Sequence, residues 1–113
     1  DLGEWWLLET GLPLPLGINV ARRDLGEDVL PELSDVLRDS IRAGLANREE
    51  ALEYALQYGR GLSTELADKF VGMYVNELTE DYGEEGRQAV AELLRRGEEA
   101  GAFERPVLVE FVD

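Results

Sequence analysis

The run Gly11-Leu12-Pro13-Leu14-Pro15-Leu16-Gly17 limits most strongly what this chain can become. Two prolines on alternate residues hold φ at about −65° and bias the residues before them away from helix. Gly17 then releases the backbone into Ile18-Asn19-Val20-Ala21, and Arg22-Arg23-Asp24 closes the run before Leu25-Gly26. Residues 11–26 therefore read as a strand entered through a stiff hinge and left through a charged turn. From Leu12 to Ala21 apolar and polar residues do not alternate, which is the pattern of a strand covered on both faces, as in parallel sheets. Only the tail Val107-Leu108-Val109-Glu110-Phe111-Val112, after Pro106, offers a second strand, and it reads equally as a docking extension.

The rest of the chain is written in a helical period. Asp1 to Glu4 can cap a turn through Trp5-Trp6-Leu7-Leu8, stopped by Gly11. Two adjacent tryptophans need a surface to cover them, as an anchor or as an aromatic wall for a ring-shaped ligand. Val29, Leu30, Leu33, Val36, Leu37, Ile41 and Leu45 predict an amphipathic helix from about residue 27 to 46, with Pro31 in its first turn. Asn47 and Glu50 have the spacing of an N-cap pair opening a second helix through Leu56, which stops at Gly59-Arg60-Gly61. Ser63 or Thr64 caps a third, with Leu66, Phe70, Val71, Tyr74, Val75 and Leu78 on one face. A fourth carries Ala89, Val90, Leu93 and Leu94 and ends near Gly101. Four helices with one or two strands is the expected content of the chain itself.

Eleven basic and twenty-five acidic residues give a net charge of −14, which argues against nucleic acid and anionic membrane as partners. At 44% hydrophobic the chain is too apolar for a disordered acidic tail. The absence of cysteine excludes disulfides and thiolate zinc sites, and the absence of histidine removes the commonest general base. No apolar run reaches the length of a membrane span and no signal peptide is evident, so a soluble, cytoplasmic protein is expected. Asp1 rather than Met opens the chain, which leads us to expect a processed or shortened product.

Nothing in the pattern marks a catalytic or metal-binding constellation. Glu84-Glu85 and Glu98-Glu99 are sequence neighbours and diverge on a helix. Glu49-Glu50 suits a helix N-terminus without further chemistry. Asn76 could bond a ligand, although backbone satisfies such an Asn more often. Isolated glycines at helix ends read as C-caps rather than a phosphate loop.

The segments GLPLPLGINVARRDLG, REEALEYALQYGR, YVNELTEDYGEEG and AVAELLRRGEEAG together resemble the 1,4-dihydroxy-6-naphthoate synthase family of menaquinone biosynthesis by the futalosine route. The resemblance runs through essentially the whole chain. It implies an α/β protein with the two-lobed fold of periplasmic binding proteins, of which these residues are the C-terminal portion. Residues 1–10 would leave the second lobe, 11–26 would form the hinge and strand, and 27–113 would be the helical C-terminal part of the first lobe. The family's proline- and cysteine-containing motif, threonine-rich loop and general-base histidine would all lie upstream, so no catalytic residue transfers to this chain. Leu14, Pro15 and Leu16 would line the cleft beside the hinge.

The resemblance also implies a lyase that splits a small molecule, cyclic dehypoxanthine futalosine, by proton abstraction and elimination, without metal or organic cofactor. The 113-residue chain alone would be inactive. Two other readings compete. One is a non-catalytic helical module that self-associates through its exposed strand, as a strand-exchanged dimer. The other is part of a solute-binding protein or of the paralogous chorismate dehydratase. A lone apolar strand needs a partner for its backbone, which either the missing N-terminal part or another copy of the chain would supply.

Overall fold

The computed structural model describes residues 1–59 and 61–112. Arg60, part of the expected Gly59-Arg60-Gly61 stop, and Asp113 lie outside them. The described residues form six α-helices and one short 3-10 helix, with no strand. The helices are α1 (Leu2–Thr10), α2 (Val29–Ala46), α3 (Arg48–Leu56), α4 (Thr64–Tyr74), α5 (Glu77–Glu80) and α6 (Gly83–Glu99). Two compact units result, one from Asp1–Val20 with Tyr82–Asp113 and one from Ala21–Asp81.

The expected content of four helices plus one or two strands is corrected on both counts. Residues 12–22 have no regular secondary structure and Arg23–Leu25 is a 3-10 turn. Extended backbone becomes a strand only when a neighbouring backbone completes the ladder, and no ladder forms among the described residues. Nor is the run covered on both faces: Leu16, Ile18 and Val20 are exposed. The tail from Ala102 to Val112 likewise forms no strand. Prolines restrict a backbone but do not by themselves make a sheet.

The helix count rises for two local reasons. The N-terminal turn is a full helix, capped by the Asp1 carboxylate accepting from the N–H groups of Gly3 and Glu4 and ended by Gly11 in the left-handed region at φ 70°. The third expected helix breaks in two at Val75-Asn76. There the Asn76 carboxamide accepts from Leu78 N and the Thr79 hydroxyl accepts from Asn76 N, a capping box that starts α5 anew. The Asn76 Nδ2 donates to Gly72 O, so this side chain is satisfied by backbone. At Asn47 the expected N-cap bond does not form; its Nδ2 turns back to Ala43 O and closes α2 instead.

In the unit from Ala21 to Asp81, Leu52 of α3 and Ala67 of α4 are buried where the two helices meet. Arg48, at the start of α3, donates from Nε to the Asp68 carboxylate and from Nη2 to the Asp68 carbonyl, which fixes the rotation of α4. Arg42 of α2 pairs with Glu80 of α5. In the other unit Trp6, Ala89 and Val90 form the core. The C-terminal tail joins that unit through Phe111, whose ring meets Tyr82 edge-on at 6.0 Å and lies 4.9 Å from the Arg87 guanidinium.

Gly86 makes the Tyr82 contact fit. A Cβ at this buried position would come within 2.9 Å of the Tyr82 Cβ, which lies too near the backbone to swing aside. We expect Gly86→Ala to destabilise the chain, since overpacking at about 1–3 kcal/mol outweighs the gain of about 1 kcal/mol in helix propensity. A lowered midpoint in urea, with loss of the near-ultraviolet signal of Tyr82, checks this; an unchanged midpoint contradicts it.

Candidate functional site

The best-defined feature near the proline run is the way α1 holds it. Trp6 is 3% exposed, and its indole Nε1 donates to Pro13 O at 3.1 Å. One helical turn on, the Thr10 hydroxyl donates to Trp6 O and accepts from Leu12 N. These bonds take up backbone groups at both Leu12 and Pro13 and so aim the chain as it leaves Gly11. The Arg96 guanidinium of α6 lies over the Trp6 ring, 5.3 Å from its centre, while its Nε donates to Glu92. Trp5 is half exposed, so the adjacent pair divides into one anchor and one surface residue.

Beyond this anchor Leu14 and Pro15 are half-buried and Leu16 is exposed. They are thus available to meet another surface, but no polar group of a catalytic type stands among them. An open groove of about 470 Å³ lies beside the anchor, bordered by Glu9, Thr10, Leu12, Gln88, Glu92 and Arg95. Leu14, Pro15 and Leu16 do not line it.

Glu92 and Arg95 carry strong electrostatic perturbations in this unit. Hydrogen bonds from Arg95 and Arg96 hold its carboxyl at about 2, below the usual 4.5. Arg95 bonds both Glu92 and Glu99, which raises its own affinity for protons. A carboxylate locked this firmly in its charged form is poorly suited to general-acid work, which needs a raised pKa. Burial pushes the Tyr82 phenol up. Among the described residues no group of His, Cys, Asp and Glu could hold a metal ion. No buried side-chain polar atom lacks a partner among them either. No helix of the described residues is long and apolar enough to cross a membrane.

The link from Trp6 to Pro13 escaped the sequence reading because a tryptophan seven residues before a proline has no characteristic signature. The Arg96 contact joins residues ninety positions apart in the chain, and its only visible trace is an arginine in a mid-helix position.

A family model described as menaquinone biosynthesis matches residues 1–99. The chain belongs to this menaquinone-biosynthesis family. Two curated relatives narrow the likeness to 1,4-dihydroxy-6-naphthoate synthases. That of Thermus thermophilus is 48% identical over 101 residues, which is 89% of this chain and 37% of the relative. That of Streptomyces coelicolor is 42% identical over 101 residues, again 89% of this chain but 36% of the relative. A crystallographically solved protein from Archaeoglobus fulgidus is 42% identical, with a TM-score of 0.83 over 91% of this chain and 39% of its own. The chain thus spans little more than a third of the curated relatives it matches, a coverage that fits a C-terminal portion.

Two outcomes follow from the anchor and its charges. Trp6→Phe keeps an aromatic ring but removes the N–H donor, and should cost about 1 kcal/mol while speeding amide exchange at Leu12. Unchanged exchange there would contradict the anchoring role. For Glu92, the folded state holds the carboxyl below its unfolded value, so its stabilising effect is complete above about pH 4.5 and fades as the pH falls towards about 2. Glu92→Gln should therefore flatten the acid limb of stability between pH 5 and 2, followed by circular dichroism; an acid limb as steep as the parent's would refute this.

Proposed function

We propose that this chain is the C-terminal part of a lyase that converts cyclic dehypoxanthine futalosine to 1,4-dihydroxy-6-naphthoate and a sugar-derived fragment. The observation that carries this reading is the pair of 1,4-dihydroxy-6-naphthoate synthases that match it at 48% and 42% identity over 89% of its length. In this reading the base that abstracts the proton belongs to the rest of the polypeptide, because the chain has no histidine. The chain's contribution is shape. Trp6 and Thr10 aim the proline run, and Leu14, Pro15 and Leu16 form an apolar part of the substrate cleft wall. An apolar wall excludes water from the reacting centre and leaves the polar recognition of the substrate to other residues.

A hybrid enzyme tests the reading. The 101 matched residues of the Thermus thermophilus synthase are replaced by those of this chain, and product formation from cyclic dehypoxanthine futalosine is followed by chromatography. The hybrid should form 1,4-dihydroxy-6-naphthoate, and the isolated 113-residue chain should form none. A folded hybrid without activity, or turnover by the isolated chain, would overturn the proposal.

A further inference from the structure

The torsions of the proline run leave it one principal freedom. The rings of Pro13 and Pro15 hold both φ angles at about −65°. Leu14 precedes Pro15 and is therefore confined to extended backbone. What stays open is ψ of Pro13, because proline occupies both the helical and the extended well about that bond. Its setting decides the direction in which Leu14-Pro15-Leu16 leaves, and the Pro13 carbonyl turns with it. The Trp6 indole donates to that carbonyl at 3.1 Å, so the orientation of one ring fixes the open torsion.

A chain of charged groups fixes the ring in turn. The Arg96 guanidinium lies 5.3 Å from the ring centre, and its Nε donates to Glu92 at 2.7 Å. The same carboxylate accepts from Arg95 through Nε at 2.8 Å and Nη2 at 2.7 Å. Three bonds from two arginines thus hold Glu92, and Glu92 sets the plane of Arg96. A side chain that only covered the ring would need neither a flat contact nor that bond.

We infer that Arg96 is a positioning residue: acting through Trp6, it sets the ψ torsion of Pro13 and so aims the apolar wall Leu14-Pro15-Leu16. The inference deepens the reading above and rests on it for what the wall faces. In that reading the wall meets substrate and transition state alike, so misplacing it raises KM and spares kcat.

Arg96→Met keeps an apolar stem over the ring but removes the charge and the Nε donor, whereas Arg96→Lys keeps the charge alone. Both are made in the 113-residue chain and in the Thermus hybrid. In the chain, nuclear magnetic resonance follows the Trp6 indole N–H and the Pro13 carbonyl carbon, with the indole of half-exposed Trp5 as an internal reference. In Arg96→Met the Trp6 N–H should exchange about fivefold faster, as loss of one cation–π contact implies, and the Pro13 signal should shift. Arg96→Lys should fall between this variant and the parent. In the hybrid, Arg96→Met should raise KM about fivefold and leave kcat within about twofold of the parent hybrid.

An unmoved Pro13 signal in the folded variants overturns the inference, whatever the hybrid does. An unchanged KM in an active Arg96→Met hybrid also overturns it, as the mark of a merely structural contact. Should Arg96→Met fail to fold, Arg96→Lys decides on the same signals. A folded parent hybrid that forms no product refutes the lyase reading instead, and the Pro13 and Trp6 signals then decide the inference alone.

Discussion

The buried indole of Trp6 is the contact on which the first unit depends. It is covered on one face by the Arg96 guanidinium and tied at its edge to the carbonyl of Pro13. A large aromatic ring supplies more buried area than any other side chain in that small core, beside Ala89 and Val90. Because the same ring meets both the proline run and the last long helix, it joins the two ends of the chain's discontinuous unit. The acidic surface strengthens the arrangement: Glu92 orients Arg96 by accepting from its Nε, leaving the flat guanidinium to lie on the ring.

The second unit is held differently. Its contacts combine a narrow apolar seam, Leu52 and Ala67, with charge pairs from Arg42 and Arg48. Exposed ion pairs contribute little to stability, typically about 0–1 kcal/mol, so these pairs act chiefly on geometry. They set which side of each helix faces inward. Several large apolar side chains, Leu66, Phe70 and Met73 among them, are left outside that seam.

Much of this was legible in the residues themselves. Asp1, Gly11 and Ser63 mark helix ends by chemistry that needs only near neighbours, and all three act as expected. The helical stretches before Ala46 and Glu99 were legible for the same reason, since their apolar period is local. The proline run was read as a strand, but a strand is a property of two paired backbones and no ladder forms among the described residues. The break at Asn76 was missed because Leu78 kept the apolar period going, whereas the capping box depends on Thr79 turning its hydroxyl back. The family likeness came from the order of whole segments, with the runs from Gly11 to Gly17 and from Tyr74 to Gly86 its most specific parts.

The grip of Arg48 on Asp68 also bears on how such a chain can change. Since it joins the first turn of α3 directly to the middle of α4, the alignment of those helices does not depend on the connection between Leu56 and Thr64. The entropy of closing a loop grows only slowly with its length, by about 0.6 kcal/mol per doubling. The connection is therefore a place where insertions and deletions can accumulate over evolutionary time, while the two helices it joins keep their register.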